Sequence, residues 1–157
     1  MQNYNSKFKI IFLAIFLAGI FVLPRVSWAA TYYVSTSGND NNPGTQSQPW
    51  QTIQRATTLM VAGDTVYVRD GLYNERVTPR NSGTAQSYIN YVGYPGEAKP
   101  VMRGFGVVNR RYIRIIGFEI THDSATYNHG ITVNSASDHI EVLDNYIHDI
   151  LGHAIRW

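Results

Sequence analysis

Apolar and polar residues alternate with period two over most of residues 65–157, in short runs separated by Gly, Asn, Asp and Pro, and this predicts a succession of short β-strands. The runs resemble one another. Val66, Tyr67, Val68, Arg69, Asp70 align with Ile89, Asn90, Tyr91, Val92, Gly93, then with 113–117 and then with 140–144, at offsets of 23, 24 and 27 residues. A second run repeats at an offset of 24, Ile131, Thr132, Val133 aligning with Ile155, Arg156, Trp157. The longer step coincides with extra residues between His122 and His129. A period of this length, made of β-rich pieces, predicts a solenoid whose coils each give one strand to each parallel sheet. β-Branched residues dominate and the leucine–asparagine consensus is absent, which disfavours a leucine-rich repeat; a β-sandwich is the other architecture that regular short strands allow.

The solenoid makes specific demands on side chains. Ile113 and Ile115 are expected to point inward over Ile140 and Val142, since alternate residues face opposite sides of a strand. Arg114 is then expected to stack outward beside Glu141, with neighbouring coils about 4.8 Å apart. Upstream, Thr31 to Val34 reads as a strand, Ser37 to Gly44 as a polar turn, and Ile53, Ala56, Thr57 and Met60 as the apolar stripe of one short helix ending at Gly63. Residues 50 to 61 are expected to cap the first coil, which would otherwise expose its interior and strand edges. The strand pattern runs to Trp157 without a matching cap, so the sequence reads as the opening coils of a longer solenoid, incomplete at the C-terminus.

The first 29 residues follow a different pattern. Lys7 and Lys9 precede an uncharged apolar run, Ile10 to Leu23, followed by Pro24 and by Ser27 and Ala29 at a small-x-small spacing. This predicts a secretory signal cleaved between Ala29 and Ala30. The run is shorter than the roughly 20 residues of a bilayer span, although an uncleaved anchor is the alternative. The chain thus divides into 1–29, a signal peptide; 30–64, an N-terminal strand and capping helix; and 65–157, the first coils. The expected location is secreted or periplasmic, with no membrane partner after cleavage.

Removing the leader changes the charge. Lys7, Lys9 and Arg25 are three of the 13 basic residues, whereas all 11 acidic residues lie later, so the remainder is almost neutral. Beyond Arg110, Arg111 and Arg114 there is no basic cluster, and nucleic acid is not an expected partner. The absence of cysteine excludes a disulfide scaffold and a thiolate metal site.

Tyr32, Tyr33, Val34, Ser35, Gly38, Asp40, Gly44, Thr45, Pro49, Trp50, Thr52, Ile53, Ala56 and then Gly63, Asp64, Thr65, Val66, Tyr67, Val68 form a pattern that resembles the N-terminal module of secreted pectate-lyase-like right-handed parallel β-helix proteins. The likeness continues through Gly71, Tyr73, Glu75, Ser82, Gly83, Thr84, Tyr94, Pro95, Gly96, Pro100, Val101 and Gly104. It implies an all-β, right-handed parallel β-helix. It also implies that the full-length parent acts on or binds an extracellular acidic polysaccharide, with β-elimination by a polysaccharide lyase as the leading reaction. A noncatalytic surface or carbohydrate-binding β-helix is the alternative, because similar modules introduce several activities.

Such lyases neutralise a uronate carboxylate with Ca²⁺ or Arg and often abstract the C5 proton with Lys or Arg. Lys99, the only lysine after the leader, sits in a turn-like Pro95 to Pro100 segment, so this chain alone reads as inactive. His122, His148 and His153 are candidate acid–base groups, with loop contacts as the competing reading. Asp123, Asp144 and Asp149 are candidate calcium ligands near coil corners, although Asp144 and Asn145 also suit a tight bend. Tyr112, Tyr127 and Tyr146 are candidate stacking surfaces for sugars, with coil packing as their alternative role.

Overall fold

The computed structural model describes residues 28–122 and 129–157. Residues 1–27 of the expected leader and the candidates Asp123 and Tyr127 lie outside the described residues, as does the side chain of His122. The elements are β1 (Thr31–Val34), α1 (Ile53–Thr57), β2 (Thr65–Val68), β3 (Leu72–Val77), β4 (Ile89–Gly93), β5 (Val101–Val107), β6 (Arg111–Ile116), β7 (Glu119–His122), β8 (Ile131–Val133), β9 (Asp138–Leu143), β10 (Tyr146–Ile150) and β11 (Ile155–Arg156).

These strands form two parallel sheets. One has the order β1-β2-β4-β6-β9; the other has the order β10-β7-β5-β8-β11, with β3 also paired to β5. Strands adjacent in a sheet are therefore separated by a full circuit of chain, which is the solenoid that the repeats predict. Ile89 pairs with Ile113, Ile113 with Ile140, and Ile131 with Ile155, at the expected offsets. The step between β2 and β4 differs: Val66 pairs with Tyr91, two residues beyond the Ile89 expected from the run alignment. A shift of two keeps every inward residue inward, so alternation cannot distinguish the two registers. Backbone bonds from Asn90 N to Asp64 O (2.9 Å) and from Tyr94 N to Val68 O (2.7 Å) hold the observed one.

Inside the coils, Ile113 and Ile115 are fully buried, and Ile140 and Val142 pack partly buried against them. Outside, Arg114 Nε donates to Glu141 Oε2 at 2.7 Å and its guanidinium lies 4.1 Å from the Tyr88 ring centroid. Tyr91, Phe105 and Phe118 run through the core edge to face, with centroids 5.5 and 5.3 Å apart.

The helix is shorter than the expected 50–61. Trp50 continues β-structure by bridging to Val34. The amides of Gln51 and Thr52 are taken by Asp40 Oδ1, each at 2.9 Å. Thr52 is the N-cap, accepting from Arg55 N, and Glu75 accepts from the amides of Ile53 and Gln54. With its first free amides bound from outside, the helix begins at Ile53. The predicted stripe is retained: Ile53, Ala56 and Met60 are fully buried in the core. No helix among the described residues is long and apolar enough to cross a membrane.

One strand shapes the second sheet. The first half of β5 pairs with β7, through Val101 with Glu119 and Met102 with Ile120; its second half pairs with β8, from Phe105 with Ile131 to Val107 with Val133. Gly104 sits between the halves at φ +118°, where a Cβ would collide with the Gly130 carbonyl oxygen. Only glycine suits both that dihedral and that approach.

Candidate functional site on the outer face of the second sheet

The outer face of the second sheet carries two histidine clusters of opposite character. In the first, Arg76 projects from β3 across the glycines of β5. Its Nη1 donates to the carbonyls of His129 (2.7 Å) and Gly130 (3.1 Å), and its Nη2 donates to the Phe105 carbonyl (2.7 Å) and to Thr132 Oγ1 (3.0 Å). Gly106 and Gly104 leave room for it, the latter's Cβ position lying 3.2 Å from Nη1.

His129, just before β8, stacks on His153 with centroids 5.3 Å apart and accepts the His153 amide at Nδ1, 3.0 Å away. Its Nε2 faces Arg156 Nη1 at 3.2 Å. Two donors therefore approach a ring that has one lone pair when neutral and none when protonated. Desolvation first, then the charges of Arg156, His153 and Arg76, push the His129 pKa below its ordinary value.

In the second cluster, His148 on β10 lies between carboxylates. Nδ1 is 2.9 Å from Asp149 Oδ2 and Nε2 is 3.1 Å from Glu119 Oε1 on the neighbouring coil. Only the doubly protonated imidazole donates to both. The bonds to Asp149 and then Glu119 raise the His148 pKa. The exposed Tyr146 ring stacks on His148, 4.4 Å between centroids.

The other expected residues are distributed elsewhere. Tyr112, at φ +55°, stacks on His139 (4.5 Å) and meets Tyr88 edge to face (5.5 Å). Asp144, at φ +50° after β9, accepts from Lys99 Nζ at 2.9 Å, so Lys99 is tied to a coil corner rather than freely solvated. Beside it, Asn145 bonds to Phe118 N and to the carbonyls of Ile115 and Leu143, the bend-holding role that its position allows. His122 ends β7, and its backbone pairs with Ile150. Calcium takes six to eight oxygen ligands, and no group of three or more His, Asp or Glu side chains converges suitably among the described residues. Asp144 is engaged by Lys99 and Asp149 by His148.

Sequence reading did not single out Arg76, Arg156 or Thr132, and it took Glu119 to face solvent, where the structure has it against His148. It also passed over Tyr33, Tyr67 and Tyr94, which pack on the outside of the first sheet with centroids 5.8 to 6.2 Å apart. With Pro95 they line a shallow cavity of about 270 Å³. The Tyr33 and Tyr67 pairing was readable in principle, since both occupy the same place in aligned strands.

Two parallel sheets wound coil upon coil around an apolar core define the class as a parallel β-helix protein. The chain belongs to the Pel9A-like right-handed β-helix family, whose model matches residues 32–156. It is 34% identical over 134 aligned positions to the uncharacterised protein YwoF of Bacillus subtilis (strain 168), covering 75% of this chain and 28% of that one. It is 39% identical over 72 positions to the pectate lyase PEL9 of Emericella nidulans, covering 45% of this chain and 18% of the relative. Among solved structures, a rhamnogalacturonan lyase superposes with a TM-score of 0.68 at 22% identity, over 79% of this chain and 37% of that one. A GH136 lacto-N-biosidase from Eubacterium ramulus superposes at 0.67 and 19% identity, over 94% of this chain and 31% of that one. The structural likenesses speak for the fold. The chain spans less than a third of the length of the curated relatives it matches.

Proposed function

We propose that the full-length protein is exported and cleaves an extracellular acidic polysaccharide by β-elimination, with this chain forming its first coils. The observation that carries the reading is membership of the Pel9A-like family together with the likeness to a pectate lyase. Export is supported by the leader pattern of residues 1–29.

In the elimination, a base takes the proton at C5 of a uronate, the electron pair forms the C4–C5 double bond, and the C4–O bond breaks. The departing oxygen then takes a proton. On the outer face His148, its pKa raised between Asp149 and Glu119, is suited to donate that proton, whereas the lone pair of His129 is already claimed by the His153 amide and Arg156, which leaves the base to another residue of the full-length protein. Arg156, exposed at the rim, is suited to offset a uronate carboxylate.

The test is ultraviolet absorbance of unsaturated product from the full-length protein on pectate, rhamnogalacturonan, alginate and chondroitin, with and without chelator. Product is expected from at least one substrate, and His148→Gln is expected to lower kcat by about 10²- to 10⁴-fold. Binding without product would overturn the lyase reading. It would favour a noncatalytic carbohydrate-binding β-helix, a reading supported by the exposed Tyr146 and the Tyr33, Tyr67 and Tyr94 cluster.

A further inference from the structure

Asp64 is almost completely buried, at 1% exposure, at the entrance to β2. Each carboxylate oxygen accepts one backbone N–H: Oδ1 from Ala30 and Oδ2 from Val61, both at 2.8 Å. Among the described residues no lysine, arginine or histidine pairs with it. A carboxylate removed from water and held only by neutral donors is poorly compensated, and a cation at one of those donor positions changes that balance strongly.

The donor at Oδ1 is the amide nitrogen of the residue that follows the predicted cleavage site. The residues before it are on the surface, Trp28 being 85% exposed and Ala29 exposed as well. Their removal takes nothing from the core. Ala30 itself is anchored, because its carbonyl accepts from Thr65 N at 2.9 Å, immediately before the β1–β2 ladder.

We propose that cleavage after Ala29 creates an ion pair between the new α-ammonium group of Ala30 and the buried Asp64 carboxylate. Hydrolysis adds the elements of one water across the Ala29–Ala30 peptide bond. The Ala29 carbonyl becomes a carboxylate, and the Ala30 nitrogen becomes an amine that takes up a further proton near neutral pH. The nitrogen already lies at ion-pairing distance, so no rearrangement is needed. In the uncleaved chain the Asp64 side chain is held by two neutral donors, and in the processed chain one of them is a cation, so maturation also consolidates the first rung of the first sheet. This inference rests on the export reading for the origin of the cut, but not for the chemistry of the pair.

The test uses the full-length protein. Intact-mass and N-terminal sequencing of the exported form locate the cut, expected before Ala30; a start elsewhere overturns processing at this bond. Independently, protein prepared with its N-terminus at Ala30 is compared with the same protein extended by Ala29, each with Asp64 and with Asp64→Asn. The Ala30 start is expected to unfold at higher urea than the extended form, and the difference is expected to vanish in Asp64→Asn. Because Asp64→Asn disturbs two hydrogen bonds, a second reading leaves the sequence intact. Acylation of the Ala30 amine in the native protein is expected to be at least about tenfold slower than in the urea-unfolded chain, as for an amine whose pKa is raised by one unit or more. Equal urea midpoints for the Ala30 start and the extended form, or equal acylation rates, would overturn the ion pair even if the cut is confirmed.

Discussion

Arg76 Nη1 donates at 2.7 Å to the carbonyl oxygen of His129, 53 residues later in the chain. The same guanidinium reaches Phe105 on the intervening coil, so one side chain fastens three coils. Lysine has no planar fork with which to satisfy these acceptors together. Arg76→Lys is expected to lower stability by about 1–3 kcal/mol, the cost of leaving part-buried acceptors unmet. Urea unfolding measures it, and an unchanged midpoint would count against the fastening role.

The two histidine clusters predict separate titrations. By NMR, His148 is expected to titrate above 6.5 and His129 below it, given their opposite surroundings. The signs for stability follow. The His148 contribution is complete below 6.5 and is lost as pH rises through its raised folded value. The His129 contribution is present above 6.5 and is lost as pH falls through its lowered one. Glu119→Gln is expected to bring the His148 titration down while leaving His129 in place.

Glu75 gives a third pH signature. Burial is the largest influence and raises its pKa, with Asp40 adding to the rise, against the lowering effect of the Ile53 and Gln54 amides. A raised carboxyl contributes stability that is complete below its unfolded value near 4.5 and is lost as pH rises through the folded value. Glu75→Gln is expected to flatten stability over that window, as thermal melts at stepped pH would show.

Core packing predicts a contrast along one stack. Ile113→Ala, at a fully buried position, is expected to cost about 2–5 kcal/mol. Ile140→Ala, one coil further and only partly buried, is expected to cost less. Equal losses would indicate that Ile140 is covered in the full-length protein.

The fold was legible because inward residues recur at a nearly constant spacing, so Ile113 over Ile140 and Arg114 beside Glu141 follow from the repeat offset together with alternation. The β2–β4 register was not, since a shift of two residues preserves every face. The helix start was hidden for another reason: Asp40 and Glu75 claim its flanking amides from distant places in the chain. The site was only partly visible. His148 and His153 stood out by type, but their partners, Glu119 for His148 and His129 for His153, depend on which coils stack and in what register.

The division of β5 at Gly104 has a consequence for how such a molecule can diversify. A single strand serves as the template for two strands of the next coil, β7 and β8, each with its own register on β5. Chain can be added or deleted at that seam without disturbing the register on either side. The seam is therefore where related proteins are expected to vary in length, and where new recognition loops can arise on an unchanged frame.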